Sequence, residues 1–61
     1  MGENYNFTLR RDARRNIPKM SEEGLRVEID FQESIIKRGP ASAKRRAKDI
    51  LAMLQAREGE K

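Results

Sequence analysis

The sequence predicts an α+β fold, a small single domain of two short strands, a short helix and a longer C-terminal amphipathic helix. Residues 4–10 and 25–31 alternate between apolar and polar residues, which is the period of a half-buried strand. Residues 41–57 repeat their apolar positions with the period of a helix. The core of so short a chain rarely contributes more than about 3–5 kcal/mol. Because the chain has no cysteine or histidine for a disulfide or a zinc site, we expect a dimer or a partner to complete the fold.

The first predicted strand and the connection after it occupy residues 4–24. The apolar face of the strand consists of Tyr5, Phe7 and Leu9, and its polar face consists of Asn6, Thr8 and Arg10. Residues 11–24 follow as a long basic connection. Within it, Pro18 ends any helical turn, because the residue before a proline avoids the α conformation. Residues 21–24, Ser-Glu-Glu-Gly, predict a turn that leads into the second strand.

The second predicted strand, residues 25–31, has the clearest alternation in the chain, with an apolar face of Leu25, Val27, Ile29 and Phe31. Its polar face consists of Arg26, Glu28 and Asp30. A short helix over residues 32–38 ends with two basic residues before Gly39 and Pro40, the usual end of a helix. Pro40 also suits the start of the helix over 41–57, and residues 58–61 are expected to fray. The predicted core consists of Phe7, Leu9, Val27, Ile29, Phe31, Ile36, Ala47, Ile50, Leu51 and Leu54.

The chain carries 14 basic and 10 acidic residues, and the basic residues fall into two clusters. The first cluster contains Arg10, Arg11, Arg14, Arg15 and Lys19. The second lies in a stretch without an acidic residue and contains Lys37, Arg38, Lys44, Arg45, Arg46 and Lys48. Two such clusters on either side of an acidic middle favour contact with the phosphates of a nucleic acid. Each cluster taken alone is also typical of a solvated surface.

The start of the C-terminal helix is a candidate phosphate site. The backbone N–H groups of residues 41–43, near Ser42, point outward from the start of the helix and favour a bound negative charge. Lys44 and Arg45 would reinforce that preference from the next turn.

The order of strand, short helix, basic turn and longer helix resembles the ribbon-helix-helix family of DNA-binding repressors. The resemblance implies a dimer in which one strand from each chain forms a ribbon that reads bases in the major groove. If residues 4–10 form the ribbon, Pro18 interrupts the first helix. That ribbon would present side chains suited to base edges, namely Asn6, Thr8 and Arg10. If residues 25–31 form the ribbon, the helices follow in order, but Glu28 and Asp30 would face the phosphates.

The sequence therefore predicts a small, basic, cytoplasmic nucleic-acid-binding regulatory protein, which contacts the phosphate backbone of DNA or RNA as a homodimer. The residues predicted to bind nucleic acid are Asn6, Thr8, Arg10, Arg11, Arg14, Arg15, Lys37, Arg38, Ser42, Lys44, Arg45 and Lys48. The alternative is a protein-binding inhibitor or adaptor, of the kind that phages and mobile elements encode, which docks on a target by its edge strand or a helix. Without histidine or cysteine, we expect no enzymatic activity, no metal and no cofactor. The C-terminal helix has no aromatic anchor, so we expect no membrane partner.

Overall fold

The computed structural model describes residues 5–59, and all the regular structure in that range is helical. In chain order the elements are α1 (Arg10–Asn16), a 3-10 helix (Ile17–Lys19), α2 (Glu22–Arg38) and α3 (Ala41–Gly59). The predicted α+β class is therefore wrong, and the described part of the chain is an all-α structure. No helix within the described residues is both long and apolar enough to cross a membrane.

The predicted strand over residues 25–31 lies inside α2, which begins earlier than the sequence pattern suggests. Ser21 caps this helix, because its side-chain oxygen accepts a hydrogen bond from the Gly24 N–H at 3.1 Å. Glu22 and Glu23 then occupy the first turn, where negative charge favours a helix. The four residues predicted to turn thus start a helix of 17 residues.

The end of α2 and the start of α3 form a tight helical hairpin. The Gly39 N–H donates to the Ile35 carbonyl at 2.7 Å, which closes the last turn of α2 after its predicted end at residue 38. The Pro40 carbonyl accepts from the Lys44 N–H at 2.9 Å and so opens the first turn of α3. The two helices pack against each other as antiparallel neighbours. Helix α3 starts at the predicted residue and ends two residues later than predicted; residues 60–61 of the predicted tail lie outside the described residues.

The predicted strand over residues 4–10 is also wrong: residues 5–10 form no strand, and residue 4 lies outside the described residues. Asn6 has a left-handed backbone (φ 48°), which breaks the alternation of a strand. Leu9, predicted to point inward, is 57% exposed. The basic connection after it folds into α1 and the 3-10 helix, and Pro18 is accommodated in the first turn of the latter. Neither ribbon required by the ribbon-helix-helix resemblance exists within residues 5–59.

The core draws on every element and on the segment before α1. Its buried apolar residues are Phe7, Ala13, Ile17, Met20, Leu25, Ala47, Ile50 and Leu54. Four of these belong to the predicted core, whereas Val27 of that prediction is 45% exposed. Four more predicted members are half-buried, namely Ile29, Phe31, Ile36 and Leu51. The period that decides burial in α2 is therefore that of a helix, and it places polar residues at two core positions.

Candidate nucleic-acid interface

The two buried polar residues of α2, Glu28 and Gln32, hold the N-terminal segment by its backbone. The Glu28 carboxylate accepts hydrogen bonds from the N–H groups of Asn6 and Phe7, both at 2.8 Å. The Gln32 amide donates to Glu28 Oε2 at 2.7 Å and to the Phe7 carbonyl at 3.0 Å. Glu28 was predicted to lie on the polar face of a strand, yet it is 1% exposed. The segment before α1 is thus fixed against the middle of α2.

Arg10, at the other end of this segment, is fixed to the middle of α3. Its Nε donates to Asp49 Oδ2 at 2.6 Å in an exposed ion pair. In the antiparallel hairpin, Asp49 lies level with the stretch of α2 that contains Glu28 and Gln32. Residues 5–10 therefore cross both helices at about half their length.

Helix α1 and the 3-10 helix then pack along α3. Because α2 follows directly and its start lies beside the end of α3, the path from Arg10 to Lys19 runs toward the C-terminal end of α3. Ala13 and Ile17 face the core, so most of the remaining side chains of this path face solvent. The exposed basic ones are Arg10, Arg11, Arg14, Arg15 and Lys19.

Charge is segregated between the elements of the molecule. Helix α1, the 3-10 helix and α3 together carry ten basic residues and three acidic ones. Helix α2 carries three basic and five acidic residues, and all of the acidic ones except Glu28 are exposed. The acidic middle of the sequence therefore becomes the outer face of one helix, whereas the first basic cluster lies beside α3.

Apart from Asn6 and Thr8, the predicted binding residues fall into three places rather than one. Arg45 lies one turn before Asp49 on the same side of α3, so it adjoins Arg10. Lys37, Arg38 and Ser42 lie at the hairpin turn, at the opposite end of α3 from Lys19. The other predicted residues of α3, Lys44 and Lys48, share a stripe with Leu51, as shown by their spacing.

Asn6 and Thr8 are both exposed, as base-reading side chains would have to be. They lie on the irregular segment that crosses the hairpin, so they share no strand face with Arg10. The backbone N–H of Asn6 is already bonded to Glu28. The Asn6 N–H is therefore not available to a ligand, whereas the side chains of Asn6 and Thr8 are exposed.

Three residues that the sequence analysis did not assign to a site have unusual surroundings. Glu28 and Gln32 are buried polar residues, and their backbone partners are more than 20 residues away, so no local pattern reveals them. Arg46 has a buried Nε without a hydrogen-bond partner among the described residues. Its position between a buried alanine and the exposed Arg45 is consistent with a stem that covers apolar surface.

A shallow groove of about 290 Å³ lies between α2 and α3, lined by Glu33, Ile36, Lys37 and Leu51. The described residues contain no group of three acidic side chains placed to hold a metal ion. No protein-family model matches the chain, and neither a curated protein nor a solved structure matches it.

Proposed function

We propose that this protein binds nucleic acid through phosphate contacts made by α1 and the adjoining part of α3. The observation that supports the proposal is the segregation of charge, which leaves ten basic against three acidic residues on α1, the 3-10 helix and α3. We call the exposed residues of this area the arginine surface, which consists of Arg10, Arg11, Arg14, Arg15 and Arg45. The five arginines of this surface outnumber the two aspartates beside them, Asp12 and Asp49. Such a local excess attracts polyanions even though the net charge of the chain is only +4.

The spacing on α1 suits a phosphate backbone. Arg10 and Arg14 form one i, i+4 pair and Arg11 and Arg15 form a second, each separated by about 6 Å along the helix axis. A guanidinium group binds a phosphate by two parallel hydrogen bonds, which a lysine ammonium group does not do. The proposed contact is therefore with the backbone of the nucleic acid, with Asn6 and Thr8 as the candidates for a base contact.

Fluorescence anisotropy of the full chain with a random duplex DNA and with a single-stranded RNA, each at about 50 and 200 mM salt, tests this proposal. We expect micromolar or tighter binding at the lower salt concentration and a steep loss at the higher one. On duplex DNA, each neutralised phosphate contributes about −0.9 to the slope of log K against log salt. The ligand that binds more tightly identifies the nucleic acid.

A matched pair of charge reversals separates local contact from net charge. Arg45→Glu and Arg26→Glu change the charge by the same amount at exposed helix positions, but only Arg45 belongs to the arginine surface. We expect Arg45→Glu to weaken binding about tenfold and to reduce the salt slope by about 1. Arg26→Glu should keep most of the affinity. Absence of binding at the lower salt, or equal losses for the two variants, contradicts the proposal.

The alternative function, a protein-binding inhibitor or adaptor, loses one of its two docking modes. Residues 25–31 belong to α2, so they cannot add a strand to the sheet of a target. Docking through a helix remains a proposal, and the exposed acidic residues of α2 would suit a basic target. Failure of both nucleic acids to bind a folded chain favours this second function.

A further inference from the structure

The groove between α2 and α3 has an apolar floor that none of residues 5–59 covers. Its floor is formed by the half-buried Ile36 and Leu51, and its four lining residues all belong to the hairpin. Glu33 lies about 140° around α2 from Glu28, which holds the N-terminal segment. The groove therefore opens on the other side of the hairpin from residues 5–10.

At the level of Glu33, the two rims of the groove carry opposite charges. On α2 the rim contains Glu33, which is exposed and has no ion-pair partner within the described part of the chain. It also contains Lys37, one turn nearer the hairpin turn and level with residue 42. On α3 the rim contains Lys44 and Lys48, which precede Leu51 by seven and three residues and so lie on its side of the helix. The hairpin turns at residues 39–40, which places Glu33 level with residue 46, midway between the two lysines.

We infer that a second copy of this chain covers the groove and forms an antiparallel four-helix bundle. A two-fold axis parallel to the helices stacks α2 of each copy on α3 of the other, and all neighbouring helices are then antiparallel. This rotation leaves the position of every residue along the axis unchanged. Glu33 of one copy therefore lies between Lys44 and Lys48 of the other, and the same contact occurs a second time by symmetry.

Charge complementarity selects a second copy as the occupant. Glu33 of each copy faces the basic half of α3 of the other across the interface, and the two halves of the contact are identical. The interface also buries Ile36 and Leu51, which adds apolar area to a core that is small for an independent domain. The four arginines of the arginine surface that belong to α1 stay outside the dimer, so the inference stands whether or not the proposed function is correct.

Sedimentation equilibrium of the full chain from about 5 to 500 µM tests the dimer, and charge reversals test its arrangement. We expect the wild-type chain to dimerise within this range. Glu33→Lys places like charges together at both contacts, and so does the double variant Lys44→Glu/Lys48→Glu. Each variant alone should dimerise at least tenfold more weakly than the wild type.

Mixing the two variants in equal amounts is the decisive measurement. In the mixed dimer, the new lysine of the first variant faces the two new glutamates of the second. At the other contact, Glu33 of the second variant faces Lys44 and Lys48 of the first. Both contacts are then attractive, so heterodimers should form. Glu23→Lys has the same net charge as Glu33→Lys but is exposed away from the groove, and it should dimerise like the wild type. Circular dichroism at 222 nm confirms that each variant is helical. A wild-type monomer at 500 µM, or a dimer that Glu33→Lys leaves unchanged, overturns the inference.

Discussion

Glutamates are rarely buried in small proteins, and Glu28 is accommodated because hydrogen-bond donors surround it. Its two oxygens accept from two backbone N–H groups and one side-chain amide. Glu28→Gln keeps the size of the side chain but replaces one accepting oxygen by an NH₂ group. At least one buried donor then lacks an acceptor, so we expect a loss of about 2–3 kcal/mol in the free energy of unfolding, measured by urea titration.

Glu33→Gln is the control for this substitution. It makes the same chemical change on the same helix at an exposed position without a hydrogen-bond partner in the described chain. Its free energy of unfolding should stay within about 0.5 kcal/mol of the wild-type value under conditions in which both chains are monomeric. If the two variants unfold at the same urea concentration, the bonds of Glu28 to the N-terminal segment contribute nothing measurable.

At the scale of elements, the hairpin requires a glycine at residue 39 because the chain there passes close to Ile35, and not because of its backbone angles. Gly39 has φ −81°, which any residue adopts, but a Cβ atom there would lie 2.7 Å from the Ile35 carbonyl oxygen and 3.0 Å from its Cγ2 atom. Gly39→Ala must therefore displace the backbone at the end of α2. We expect a loss of about 1–3 kcal/mol in the free energy of unfolding, measured by the same titration.

Gly59→Ala is the matched control for the hairpin substitution. A Cβ atom at Gly59 meets nothing within 4 Å, and alanine is the better helix former. This variant should be as stable as the wild type or slightly more stable. A Gly39→Ala variant that is equally stable would mean that the turn adjusts without cost.

The sequence predicts the helix over residues 41–57 well and most of α2 badly, for physical reasons that differ between them. In α3 the apolar residues alone report the helical period, since Ala47, Ile50 and Leu54 are all buried. In α2 two core positions are polar, so the apolar residues alternate by chance and imitate a strand. The signals that favour the helix are Ser21 with two glutamates after it and the absence of proline between Ser21 and Pro40.

The candidate site is predictable in composition but not in arrangement. Both basic clusters are visible in the sequence, because charge does not depend on the fold. Which cluster adjoins which part of α3 depends on the Arg10–Asp49 pair, whose members are 39 residues apart. Separations of this kind leave no periodic trace in the sequence, and the same is true of the bonds that Glu28 makes.

At the scale of the whole molecule, residues 5–20 are a layer of the core and not an arm attached to the hairpin. Phe7, Ala13, Ile17 and Met20 belong to one buried cluster with Leu25, Ile50 and Leu54. Tyr5 stacks on Phe7 with ring centroids 5.2 Å apart and packs against the same cluster. Removal of this layer would expose the apolar face of the hairpin. We therefore expect the arginine surface and the hairpin to unfold together as one cooperative unit.

Phe7→Ala and Leu9→Ala test this cooperativity against the strand that the sequence predicts. A strand with both residues inward would lose stability in both variants, whereas the structure buries Phe7 to 4% exposure and leaves Leu9 57% exposed. Truncation of a buried phenylalanine costs about 3–5 kcal/mol, which is comparable to the whole stability of so small a core. A change of 1 kcal/mol in the free energy of unfolding shifts the Tm of a domain this size by about 4–8 °C. In thermal melts followed at 222 nm, we therefore expect Phe7→Ala to lower the Tm by more than about 12 °C or to abolish the transition. Leu9→Ala should melt within a few degrees of the wild-type chain, and equal shifts for the two variants would contradict the packing of the N-terminal segment described above.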